Sequence, residues 1–171
     1  MDAVFRLTDL SQFHPRLEWD AIVVSAAAVL TASPTERPQV YFSIDSVPGF
    51  DETTIQLQMD LNGISEVQIE KARRTFEKPR LVEFAAIALA GIGLHLAGGH
   101  EIWDVALRGS SADYLVDEAE YLLEVSGRSR KADFQSAWDE RWNRLKSRSH
   151  RGFFVCVAEF ESNAAKLAFE C

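Results

Sequence analysis

The chain of 171 residues is 47% hydrophobic and 26% charged, with nine glycines and five prolines. That composition excludes disordered, collagen-like and low-complexity classes and predicts a single domain with its own core. The net charge of −8 argues against generic binding of polyanions, yet it is unevenly placed. Residues 128–151 hold eight Lys/Arg against three acids, so the remainder carries −13, the asymmetry expected of one basic face on an acidic protein. A solvated helix with i,i+4 ion pairs is the plainer explanation of the same run.

The first twenty residues are interrupted by Asp2, Arg6, Asp9, Arg16, Glu18 and Asp20, so no apolar run of signal-peptide type is present and a cytoplasmic location is expected. Residues 21–32 are an apolar stretch rich in Val and Ala, ended by Ser33 and Pro34, for which periodicity does not choose between a buried strand and a short helix. Val40, Phe42 and Ile44, then Ile55, Leu57, Met59 and Leu61, alternate with polar residues and predict a half-solvated β-hairpin. After the Asn62-Gly63 turn, Ser65 with Gln68 three residues on predicts a capping box and a polar helix to about Glu77.

From Pro79 the chain predicts a buried helix over 80–97, whose alanines and glycines permit close approach to a sheet. Its apolar core is shorter than the roughly 20 residues needed to span a bilayer and contains Glu83 and His95, so no membrane association is expected. Three short strands follow at about 102–108, 113–117 and 120–126, then a helix over about 131–148 with Phe134, Ala137, Trp138, Trp142 and Leu145 on one face. A strand over 152–160 comes next, and Ser162-Asn163 suits the cap of a short terminal helix. The two cysteines, Cys156 and Cys171, lack a CxxC partner or a histidine at ligand spacing, which points to a reducing compartment without structural zinc. His95, amid Leu94 and Leu96, reads as a core histidine.

The stretch from Arg108 to Gly127 carries the chemistry. An even-length loop centred between Glu118 and Ala119 places Asp113 directly opposite Glu124. Opposed cross-strand residues have Cβ atoms about 4.5–5.5 Å apart, where like charges are destabilising. Three things relieve that repulsion: a divalent cation, a nearby Lys or Arg, or one carboxyl held protonated. Glu124 lies in the apolar run YLLEVSG, and isolated buried acids are rare. An ion pair to Arg108 or Arg128 is the structural alternative to a metal there.

The order helix, three strands, helix, strand, with Asp on one strand and Glu on the next, resembles the PD-(D/E)xK nuclease superfamily, the restriction-endonuclease-like fold, over about residues 66–161. Ser111-Ala112-Asp113 matches the first motif and Glu124-Val125-Ser126 the second. The resemblance implies an α/β (α+β mixed-sheet) αβββαβ core over 64–171, with a β-rich N-terminal extension over 1–63 that packs on or extends the sheet, all in a single domain. It further implies Mg²⁺ or Mn²⁺ held by Asp113, Glu124 and the carbonyl of Val125, with Glu83 as an outer contributor, activating water for phosphodiester hydrolysis. Ser126 stands where the family has its lysine and Ala112 where it has proline, and a serine supplies no positive charge to the developing phosphorane. Arg128, Lys131 or Lys166 is left to replace it, Lys131 being the residue assigned to catalysis here. Arg128, Arg141, Arg144 and Arg148 are expected to contact nucleic-acid phosphates. The rival expectation is a non-catalytic protein-interaction or regulatory subunit that keeps the fold.

Overall fold

The computed structural model describes residues 1–31, 35–110, 112–148 and 151–171. The Ser33-Pro34 stop, Ser111 of the first motif and His150 lie outside the described residues. Eight strands form one mixed sheet: β1 Asp2–Arg6, β2 Gln39–Asp45, β3 Thr53–Asp60, β4 Ile102–Val105, β5 Tyr114–Val116, β6 Tyr121–Arg128, β7 Phe153–Glu159 and β8 Ala164–Glu170. Their order across the sheet is β1-β3-β2-β8-β7-β6-β5-β4. The helices are α1 Leu10–Phe13, α2 Asp20–Leu30, α3 Glu66–Thr75, α4 Lys78–Leu96 and α5 Phe134–Arg148.

Strand alternation divides the core in two. Along β7, Phe154, Cys156 and Ala158 join α2 and α4 in one large cluster, while Phe153, Val155 and Val157 meet Ala137, Trp138 and Leu145 of α5 on the other face, as the period of two in a strand requires. Buried on both faces, β7 reads as a continuous apolar run. The large cluster takes residues from both halves of the chain, Phe42 and Leu57 as well as Leu89 and Phe154. The N-terminal segment therefore extends the sheet, through the parallel pairing of β2 with β8.

Helix α4 lies close on the strands because it has glycine where a side chain would collide. A Cβ at Gly93 would stand 2.6 Å from the Phe42 ring, and one at Gly127 of β6 would stand 2.6 Å from the Val82 carbonyl of α4. In length and composition α4 is apolar enough to cross a membrane, but 67% of that span is buried inside the fold. Residues 20–30, undecided from periodicity, form a helix packed on α4. The capping box at Ser65 and Gln68 is present in both directions, at 3.1 and 2.8 Å.

Two expectations are corrected. Ser162-Asn163 does not cap a helix: Asn163 takes a positive φ of 56° and turns the chain into β8, which pairs with β7 on one side and β2 on the other. Two ladders outweigh the helical preference of Ala, Lys, Leu and Glu. The first residues, in which no element is expected, contribute edge strand β1, whose Ala3 and Phe5 pack into the core.

Candidate functional site

The hairpin β5–β6 has the register set by an even loop. Tyr114 pairs with Leu123, Leu115 with Leu122 and Val116 with Tyr121, and the turn is closed by Asp117, Glu118 and Ala119, all at positive φ. Asp113 is thereby brought level with Glu124, its N–H donating to the Leu123 carbonyl at 2.9 Å. The two carboxylates nevertheless take different partners. Asp113 is exposed and its Oδ2 accepts the Val125 N–H at 2.8 Å, so the side chain continues the ladder one step beyond β5.

Glu124 is 3% exposed and faces α5. Arg144 meets its Oε1 directly, and Arg141 Nε lies 3.5 Å from the same oxygen. The ion-pair partners are therefore on α5, not Arg108 or Arg128. Helical spacing contains the signal for this: Arg141 is three residues from Trp138 and Arg144 is seven from Ala137, so both share the buried stripe of α5. Trp138 stacks on Trp142 at 5.5 Å, and Lys166 of β8 lies 4.5 Å over the Trp138 ring, which occupies one candidate replacement for the missing lysine.

A cleft of about 550 Å³ opens at the carboxyl end of β6. Pro79, Val82 and Glu83 of α4 form one wall, Asp113 and Val125 to Arg128 the floor, and Ser129, Arg130, Asp133 and Arg141 the other wall. Crevices at strand carboxyl ends are where open α/β sheets place ligands. Of the expected site residues, Glu83, Asp113, Val125, Arg128 and Arg141 converge here. Glu124 does not line the cleft, Lys131 is exposed in the short turn Lys131–Asp133, and Arg148 is exposed at the end of α5.

The cleft's charges are largely matched. Glu83 lies 3.4 Å from Arg80, and Asp133 receives two bonds from Arg130 at 2.9 and 3.1 Å. Arg128 donates to the Gly127 carbonyl at 3.0 Å and, among the described residues, has no carboxylate at ion-pairing distance. Ser126 is 5% exposed and its Oγ has no hydrogen-bond partner among the described residues. Sequence reading treats this serine only as an absent lysine. Beside the cleft the Tyr114 phenol is pushed up to about 12, by burial first and then by the Asp113 and Glu83 charges.

The residues present do not fit a magnesium ion of the expected kind. A hard cation needs several oxygen ligands at one point. Glu124 gives Oε1 to Arg144 and Arg141, and its Oε2, without a hydrogen-bond partner among the described residues, is buried and outside the cleft lining. Asp113 Oδ2 accepts the Val125 N–H. Among the described residues no three His, Cys, Asp or Glu side chains gather at one point. No protein-family model, curated protein or solved structure matches the chain.

Proposed function

We infer that the chain is a nuclease-like protein that holds nucleic-acid phosphodiester groups in the cleft at the end of β6 without hydrolysing them. The observation that carries this reading is that Arg128 and Ser126 both line the cleft, Arg128 without a carboxylate at ion-pairing distance and Ser126 with a buried hydroxyl that has no partner, among the described residues. A buried unsatisfied hydroxyl costs about 1–3 kcal/mol, and a phosphate oxygen is the acceptor it lacks. Arg141 also lines the cleft, its guanidinium shared between Glu140 at 3.1 Å and Glu124 at 3.5 Å. The element order α4, β4 to β6, α5, β7 supports a restriction-endonuclease-like core. No hydrolysis is expected, because Glu124 is neutralised by Arg144 and Arg141.

A second reading, a non-catalytic protein-interaction or regulatory subunit, is favoured by the balance of charge in the cleft. Arg128, Arg130 and Arg141 stand against Glu83, Asp113 and Asp133, and a neutral crevice suits a protein partner better than a polyanion. Labelled single- and double-stranded oligonucleotides, titrated at low salt with and without Mg²⁺ or Mn²⁺ and then run on a denaturing gel, separate the readings. Binding that weakens in Arg128→Ala and in Ser126→Ala, with intact oligonucleotide throughout, is the expected result. Absence of binding favours the protein partner, and cleavage lost in Glu124→Gln restores the metal-dependent nuclease.

A further inference from the structure

The sheet ends on β4 at one side and on β1 at the other, and the two edges are finished differently. At β4 the register shifts between Ile102 and Asp104. His14 Nδ1 accepts the Ile102 N–H at 2.9 Å, Arg16 Nε donates to the Trp103 carbonyl at 2.9 Å, and the Asp104 carboxylate accepts the Val105 N–H at 2.7 Å. A bulge with side chains on the edge's polar groups is how a sheet prevents strand addition.

Among the described residues, strand β1 has none of these devices. Its five residues run in unbroken parallel register with Gln56 to Asp60 of β3 and include neither Pro nor Lys. The Gln56 N–H donates to the Met1 carbonyl at 2.8 Å, which fixes the ladder: Ala3 and Phe5 direct their backbone groups to β3, while Asp2, Val4 and Arg6 direct theirs outward. The side chains of those three residues share the face opposite the core, and Val4 is 62% exposed.

The geometry points to β1 as an interface between two copies of this chain, paired antiparallel about a two-fold axis at Val4. In that register Val4 faces Val4 of the second copy, and Asp2 faces Arg6 of the second copy, twice by symmetry. All three residues with outward N–H and C=O groups then oppose one another, so every one of those groups gains a partner. The charges that meet are opposite, the favourable case for directly opposed cross-strand residues. Registers shifted by two residues leave part of the edge unpaired and lose the Asp2–Arg6 match. Arg6 already reaches Asp60 at 3.3 Å with half its side chain exposed, and a guanidinium's five N–H groups serve two carboxylates.

An edge of five residues makes a small, concentration-dependent interface. Sedimentation of the full chain from about 5 to about 500 µM tests it, the average mass rising from 19.2 kDa toward twice that value. Asp2→Arg, which sets two guanidiniums against each other at both ends of the paired strands, weakens association tenfold or more, and adding Arg6→Asp with Asp60→Arg, which keeps the pair to β3 matched, restores it to within about threefold. Hydrogen exchange at the Val4 and Arg6 amides slows as concentration rises. Thermal unfolding of the variants confirms that they fold. A chain monomeric at every concentration, an Asp2→Arg variant that associates like wild type, a folded charge-swapped variant without recovery, or amides whose exchange ignores concentration each overturns the inference.

Discussion

Arg144 of α5 and Glu124 of β6 form an ion pair whose carboxylate is almost wholly buried. The pair fastens the helix to the sheet and withdraws the carboxylate from the neighbouring cleft. A feature that looks catalytic in the sequence is thus structural in this geometry, and its energetics are measurable.

Removing one partner of a buried pair leaves a desolvated charge behind. Arg144→Ala is expected to lower stability by about 3 kcal/mol in denaturant unfolding, with Arg141 retaining part of the compensation. Replacing both Glu124 and Arg144 by leucine recovers most of that loss, since a matched apolar pair leaves no orphaned charge and Arg141 keeps Glu140 at 3.1 Å. A loss under about 0.5 kcal/mol for Arg144→Ala, the level of an exposed pair, contradicts the assignment.

Gly127 is required by contact, since a Cβ there meets the Val82 carbonyl of α4 and backbone cannot swing aside. Gly127→Ala is expected to cost about 1–3 kcal/mol, as overpacking does, and to weaken oligonucleotide binding because Val82 and Glu83 line the cleft. A variant as stable as wild type shows that α4 sits farther from β6.

His14 is fully buried, with Nδ1 accepting the Ile102 N–H and Nε2 donating to the Gly91 carbonyl at 2.7 Å. Acceptance at Nδ1 requires the neutral ring, and burial, partly offset by the Gly91 bond, holds its pKa below the usual histidine value of 6.5. The unfolded chain therefore takes up the proton first. His14 contributes its full stability above about pH 6.5, and that contribution is lost as pH falls from there through the lowered folded value. Urea unfolding at about pH 7.5 and about pH 5 should show lower stability in acid. His95, lowered by desolvation as well, acts in the same direction, so the His14→Gln variant isolates the His14 share. An unchanged pH dependence in His14→Gln sinks this account.

Tyr114 reports on the cleft's acids. Its phenol, raised to about 12, contributes stability that is complete below the ordinary tyrosine value of about 10 and is lost as pH rises toward the folded value. Glu83→Gln and Asp113→Asn are each expected to bring the titration down, followed by ultraviolet absorbance against a Tyr114→Phe reference. The Asp113→Asn side chain keeps an acceptor for the Val125 N–H. No movement in either variant places the two carboxylates away from Tyr114.

Much of the core was legible because its signals are local. Period-two alternation marks β2 and β3, the Ser65–Gln68 box opens α3, and an even loop at Glu118-Ala119 sets the β5–β6 register and brings Asp113 level with Glu124. What escaped depends on partners distant in the chain. Residues 164–170 have helix-forming composition and become a strand only because β7 and β2 lie on either side. Nothing in residues 2–6 announces a strand until β3 presents its ladder. Arg141 and Arg144 read as phosphate ligands when the run 128–151 is taken as a basic face, and as half-buried ion-pair partners of Glu124 once the tryptophan stripe of α5 is set against β7. The free hydroxyl of Ser126 has no sequence signature, because it follows from what the strand faces.

The most direct test of the central claim is the salt dependence of oligonucleotide affinity for wild type and Arg128→Ala. Each phosphate contacted contributes about −0.9 to the slope of log K against log salt on duplex DNA and about −0.7 on single strands. Wild type is expected to show a shallow but definite slope, reduced by about one contact in Arg128→Ala, with no cleavage in Mg²⁺. Equal slopes for the two proteins, or no binding at low salt, contradict it.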